Sequence, residues 1–195
     1  GYVGGIVIHA DDDTRRDLIR RILGAGINWI DTAESYGDGA SEKALGWLLA
    51  ELPKEERPYL STKFRLDTSR LDDIPGQIEA SLSGSLERLG LDRIDLYQLH
   101  NALGQDGFDI SHVLGPGGVC DSLDELKGQG LFDHLGFTAL GDPGQCKQLI
   151  ASGRVASAQV YYNLLNPSAG RAVPAAWSTT DFENLIAACQ AAGVA

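Results

Sequence analysis

Four side chains of complementary chemistry stand within the first hundred residues: Asp31, Tyr36, Lys63 and His100. Asp31 ends the apolar run "INWI", Lys63 follows "YLST", His100 follows "IDLYQL", and Tyr36 lies in the glycine-bearing stretch "ESYGDGAS" shortly after Asp31. A carboxylate at the tip of a buried strand costs several kcal/mol unless it is paired or hydrogen bonded, and Lys63 is the partner expected for it. An ammonium beside a phenol, whose ordinary pKa is about 10, stabilises the phenolate, and burial strengthens the effect. Tyr36 then becomes a tuned proton donor. His100 offers an N–H to the same carbonyl oxygen that Tyr36 protonates, so the pair would polarise a carbonyl group toward attack at its carbon. No serine or cysteine lies beside a base in this set, so the attacker has to come from outside, and a hydride is the natural candidate.

Plainer readings exist for each residue alone. An Asp–Lys pair at two strand tips can be a stabilising ion pair, and a single histidine ending a strand is commonly structural. All four at their own expected places favour chemistry. Glu34, Asp38 and Glu42 crowd the same loop and are expected to cap or solvate the following helix rather than react. His9, His112 and His134 read as surface or loop residues. Trp29 and Trp47 are expected in the packing, and Trp177 either lines a substrate pocket or covers a rim.

The elements that must position these residues alternate along the chain. "DDDTRRDLIRRILGAG" carries Leu18, Ile19, Ile22 and Leu23 on one helical stripe with acids in its first turn. The strand Ile27 to Ile30 follows, then a helix from about Ser41, the strand "RPYLSTKF", and a helix with Ile78, Leu82, Leu86 and Leu89 along one face. Next come the strand "RIDLYQLHN", the helix "VCDSLDELKGQG", the strand "FDHLGFTAL", the helix "PGQCKQLIASG", the strand "ASAQVYYNLL" and the helix "DFENLIAACQAAG". About five strands thus follow a damaged opening one. Strands alternating with helices of this length mean βαβ units and a parallel sheet. An open doubly wound sheet that binds a nucleotide should show a glycine fingerprint opening its first helix; that helix here opens "DDDTRR", which would repel a phosphate. The reading is therefore α/β, a (β/α)8 TIM barrel in one domain over residues 1–195, with the first strand and the last two βα units largely absent. Strand tips converge at the mouth of such a barrel, and the intervals 31 to 63 and 63 to 100 each match one βα unit, so the tips of three neighbouring strands should meet. The segment Asn166 to Thr180 reads as a loop over the barrel mouth.

Composition bounds the partners. Sixteen Lys and Arg against 27 Asp and Glu give a net charge of −11 over 195 residues, without a basic cluster, so a nucleic acid or an anionic membrane would be repelled. No apolar run approaches the roughly eighteen residues of a membrane span, and no signal-peptide pattern opens the chain. The cysteines Cys120, Cys146 and Cys189 are odd in number, far apart and without ligand spacing, which disfavours disulfides and zinc and suggests a reducing, cytoplasmic setting. The absence of methionine, together with the abrupt start and end, reads as a fragment.

On these motifs the sequence resembles the aldo-keto reductases over nearly its whole length. "GINWIDTAESYGDGASEKALG" is similar to the family segment carrying Asp and Tyr, "STK" to its lysine strand and "DLYQLHN" to its histidine strand. The resemblance implies a catalytic tetrad of Asp31, Tyr36, Lys63 and His100, with NADP or NAD as cofactor, NADP favoured, and a small carbonyl compound or sugar as substrate. It further implies cofactor contacts from Asp31, from Thr138 in "LGFTAL" and from Gln159 in "SAQVYYNLL". Ala139 departs from the family's asparagine, which leaves one carboxamide contact unassigned. The family's cofactor-holding segments after the seventh and eighth strands have no counterpart here, and the nearest flavour is the bacterial and plant aldose or sugar-lactone dehydrogenase branch. Two other functions fit the same residues: a Schiff-base barrel using Lys63, which Asp31 opposes by holding the ammonium charged, and a cofactor-sensing or scaffold subunit of the same fold with little turnover.

Overall fold

Five strands of the computed structural model, which describes residues 5–174 and 176–195, form one sheet. They are β1 (Trp29–Asp31), β2 (Tyr59–Phe64), β3 (Ile94–Leu99), β4 (Phe132–Thr138) and β5 (Ser157–Gln159). Every neighbouring pair is parallel and the spatial order is the chain order. A doubly wound sheet reverses its order at a switch point; this one does not, and it forms the curled wall of a partial (β/α)8 barrel. The ladder continues past β5, where the Ala195 N–H donates to the Ala156 carbonyl (3.0 Å) and the Ala158 N–H to the Ala195 carbonyl (2.9 Å).

Helices α1 (Gly5–His9), α2 (Asp12–Gly24), α3 (Ala40–Ala50), α4 (Ile74–Leu89), α5 (Ile110–Leu114), α6 (Val119–Gly128), α7 (Pro143–Ala151) and α8 (Leu185–Ala192), and two short 3-10 turns, Lys54–Glu56 and Thr68–Asp73, complete the described elements. Their ends follow from local chemistry. Asp11, Asp73 and Asp142 each accept a backbone N–H at the start of α2, α4 and α7, from Thr14, Gly76 and Gln145 respectively, which satisfies donors that the helix itself cannot. Helix α4 stops at Gly90, which takes the left-handed conformation (φ 61°) favoured by glycine.

Alternation along the strands separates core from site. On β2, Leu60, Thr62 and Phe64 face the helices, while Ser61 and Lys63 face the other way; all five are buried. Phe64 stacks on Tyr97 at 4.8 Å between ring centroids, and Leu45, Leu49, Ile78 and Leu82 of α3 and α4 pack over that side. Helices α3 and α4 cross closely enough that a Cβ on Gly46 would lie 2.5 Å from the Arg88 carbonyl oxygen. Within this apolar layer sits one charged knot. Glu42, fully buried, accepts from the Thr62 hydroxyl (2.6 Å) and from the Arg88 Nε (2.7 Å).

Several expectations are corrected. The opening segment, read as a damaged strand, is helical from Gly5 to His9, and the Arg15 guanidinium donates to its Ile8 carbonyl (2.8 Å); Val7 packs on the core, so tertiary contacts override the β-branched sequence. The sixth expected strand is cut to Ser157–Gln159, because the Asn163 side chain accepts from the backbone of Leu165 and Asn166 (2.9 Å each) and turns the chain away from the ladder. Trp29, expected in the packing, is 43 % exposed on the edge strand β1, with its ring 6.2 Å from Tyr59. His134, expected at the surface or in a loop, is exposed on β4, and His112 lies in α5, where it shares a capping box with Asp109. The stretch from Asn166 to Thr180 has no helix or strand among its described residues and is closed by the Asn166 amide donating to the Thr180 carbonyl (2.9 Å).

Glu42→Ala should strip two buried or half-buried donors of their acceptor, and the expected loss is about 3 kcal/mol of stability, read as a lowered urea midpoint with an unchanged slope. A loss below about 1 kcal/mol would show that the knot does not tie α3 and α4 to β2.

Candidate active site

The parallel register brings one polar layer together on the face of the sheet opposite the helices. Asp31 pairs with Ser61, Lys63 with Gln98, and Thr138 with Gln159 in neighbouring strands. Lys63 is 1 % exposed, a placement that is tolerated only if the ammonium finds partners. It has three, one for each N–H. Nζ makes an ion pair with Asp31 Oδ2, donates to the Thr32 carbonyl (2.9 Å) and reaches the Tyr36 hydroxyl at 3.3 Å. The Nζ also lies 4.9 Å from the centroid of the Tyr36 ring.

Asp31 is itself held from three further directions. Its Oδ1 accepts from Ser61 Oγ (2.6 Å), Gln159 Nε2 (2.8 Å) and Gln98 Nε2 (3.3 Å). The charge placed at a strand tip is thus the centre of a shared network, and the ion pair is oriented by hydrogen bonds as well as by attraction. Ser61 and Gln98 are additions to the residues singled out from the sequence. Their signal is the two-residue period of a strand: Ser61 shares a face with Lys63, and Gln98 with His100.

Tyr36 is half-buried in the loop between β1 and α3, and its ring meets His100 edge-on, with 6.1 Å between centroids and 78° between planes. His100 follows β3 directly, where its backbone N–H donates to the Phe64 carbonyl (2.9 Å) and holds it beside the end of β2. Burial lowers the His100 pKa below the usual 6.5, and the positive charges of Lys63 and Arg65 lower it further against the opposing pull of Asp31. The imidazole is therefore neutral near pH 7 and keeps one ring N–H to donate.

A cavity of about 320 Å³ opens above this layer, lined by Tyr36, Lys63, His100, Thr138 and Gln159 together with Leu140 and the segment 160–163. Every residue singled out in the sequence for chemistry or cofactor contact lines it, apart from Asp31, which is paired with Lys63. Two buried acceptors at the site have no partner among the described residues: the Thr138 hydroxyl and the Gln98 Oε1. Thr138 lines the cavity, and an unpartnered hydroxyl on a lining residue fits an amide-bearing ligand such as a nicotinamide. Ala139 belongs to the apolar core, so its methyl group supplies no such contact. Trp177 is not among the described lining residues and is 40 % exposed. Among the described residues, no group of three or more His, Cys, Asp or Glu side chains could hold a metal ion.

Of the acids expected to cap or solvate the helix after Tyr36, none caps it and Asp38 is left to solvent. Gly39, in the left-handed conformation (φ 80°), is the N-cap of α3 and no side chain caps it. Glu42 is buried in the knot with Arg88, Asp38 is exposed, and Glu34 reaches across to Arg65 and Ser81.

The sequence profile of the aldo/keto reductase family matches residues 7–195. The chain is 30 % identical over 162 residues to D-threo-aldose 1-dehydrogenase of a Pseudomonas species, covering 71 % of this chain and 47 % of that protein. It is 29 % identical over 182 residues to the NADH-specific methylglyoxal reductase of Escherichia coli, covering 84 % and 53 %. In fold it superposes on an aldo/keto reductase from Klebsiella pneumoniae, solved with NADP and acetate, with a TM-score of 0.71 at 21 % identity, covering 97 % of this chain and 59 % of that one. The chain spans about half the length of the curated relatives it matches. With the profile match extending over almost all of its residues, and a sequential parallel sheet carrying the site at its strand tips, this chain belongs to the aldo/keto reductase family.

Proposed function

We propose that the protein is an NAD(P)-dependent oxidoreductase that interconverts a small aldehyde or ketone and its alcohol, with Tyr36 as the proton donor. The observation that carries this reading is the position of Lys63 Nζ, bonded at once to Asp31, to the Thr32 carbonyl and to the Tyr36 hydroxyl at the floor of one cavity. A nicotinamide cofactor, when bound, supplies the hydride. Thr138 and Gln159 would hold its carboxamide, the first through a buried hydroxyl without a partner among the described residues, the second from a side chain whose Nε2 donates to Asp31 (2.8 Å).

The chain's own groups handle the proton. As the phenolic proton leaves for the substrate oxygen, negative charge builds on the Tyr36 oxygen, and the ammonium 3.3 Å away compensates it. Asp31 keeps that ammonium in place, and the low exposure of Lys63 keeps water from screening it. A neutral His100 donates its N–H to the same substrate oxygen, which orients the carbonyl and draws electron density from its carbon. In the oxidative direction the same groups take the alcohol proton back. All three N–H bonds of Lys63 are engaged, which weighs against a Schiff-base role, because a nucleophilic amine needs a free lone pair. Likeness to the aldose dehydrogenase supports an aldose or another small sugar among the substrates, and the NADP-bound Klebsiella neighbour and the NADH-specific Escherichia coli relative support NADP or NAD as the cofactor.

In the full natural polypeptide, Tyr36→Phe should lower turnover of an aldehyde or aldose by about a hundredfold or more while cofactor affinity, followed by nicotinamide fluorescence, stays within about twofold. A rate equal to that of the unmodified protein removes Tyr36 from the mechanism; unaltered binding with no turnover in either protein favours the sensor reading.

The lowered pKa of His100 has a definite sign. The folded imidazole stays neutral where an unfolded histidine takes up a proton, so the fold loses stability as pH falls below about 6.5 and none of this contribution is lost above it. An NMR titration should show the His100 ring protons shifting at a lower pH than those of a free histidine; a midpoint at or above 6.5 contradicts the neutral-donor role.

A further inference from the structure

We infer that Glu34 is a positioning residue for the proton donor: its carboxylate fixes the Tyr36 loop to the strand that carries Lys63. This rests on the reading of Tyr36 given above. The contact that matters, Lys63 Nζ to the Tyr36 hydroxyl, is 3.3 Å long, at the loose end of a hydrogen bond, so a small displacement of the loop breaks it. Residues 32–39 carry Tyr36 from β1 to α3 without regular structure of their own. Within the loop the Tyr36 N–H donates to the Ala33 carbonyl (3.0 Å), the Gly39 N–H to the Glu34 carbonyl (2.8 Å) and the Ser41 N–H to the Tyr36 carbonyl (3.2 Å). These bonds shape the loop but do not locate it against β2.

Glu34 does. Its backbone N–H donates to the Lys63 carbonyl (3.2 Å), and its Oε1 accepts the N–H of Arg65, two residues past Lys63 (2.8 Å). The residue two before Tyr36 is thus bonded on both sides of the end of β2. The Oε2 accepts from the Ser81 hydroxyl on α4, and Ser81 in turn accepts from the Tyr97 O–H (2.9 Å). Tyr97 is wholly buried and stacked on Phe64, so this end of the relay is anchored in the core. A buried phenol requires a hydrogen-bond partner. Ser81 provides it and passes its own proton toward Glu34, so the two hydroxyls are ordered in one direction with the carboxylate as terminal acceptor. The carboxylate therefore registers the loop against β2 and α4 together.

The test is a set of variants in the full natural polypeptide, with cofactor-binding titration to count folded sites. Glu34→Ala should lower kcat about tenfold or more with KM and cofactor affinity changed less than threefold, in line with a misplaced donor. Glu34→Gln, whose amide can still accept from Arg65 and donate to Ser81, should recover most of that loss. In a Tyr36→Phe background, Glu34→Ala should cost less than twofold, because the residue acts through Tyr36. Equal losses in both backgrounds, or an Ala variant that loses binding sites and kcat in proportion, overturn the positioning role. A full rate in Tyr36→Phe alone would instead overturn the reading of the donor, and the two failures are told apart by that single variant.

Discussion

A lysine ammonium buried to 1 % exposure is the constraint around which the rest of the site is arranged. Removing such a charge from water is tolerated only when each of its protons meets an acceptor and an opposite charge lies in contact. Asp31 meets the second condition, and Thr32 and Tyr36 complete the first. Asp31 in turn gathers Ser61, Gln98 and Gln159 from three other strands. Four of the five strands therefore converge on one carboxylate.

The opposite face obeys the reverse rule. Phe64, Tyr97 and Leu99 alternate with Lys63, Gln98 and His100, so every step along β2 and β3 sends one residue to the helices and the next to the site. The packing on one side thereby stiffens the backbone that aims the side chains on the other. The polar exceptions within the packed side join elements to one another: Glu42 and Arg88 link α3, α4 and β2, and the Ser81–Tyr97 pair links α4 and β3 to the Tyr36 loop.

Much of this was readable in advance. The alternation of helical and extended patterns marked all five strands, and the intervals between Asp31, Lys63 and His100 marked them as neighbours. The misreadings share one cause, which is local patterning without its surroundings. The opening "GIVIH" is β-branched yet helical, because Val7 finds the core and Arg15 closes the helix end. "VYYNLL" is apolar yet leaves the sheet, because Asn163 supplies its own turn. Glu34 and Glu42 stood where helix-capping acids stand, and both instead reached residues 20 to 47 positions away in the chain.

The sequence by itself determined the period of each element and the faces on which its residues fall, since both follow from bond geometry and apolar spacing along a single strand or helix. It thereby placed Asp31, Lys63 and His100 at strand ends. Only the tertiary structure decided which atoms meet: that Lys63 divides its protons among three acceptors, that Gln98 and Ser61 join Asp31, and that Glu34 crosses to Arg65 and Ser81. Those bonds depend on strand register and helix crossing, which long-range packing sets and which no local pattern encodes.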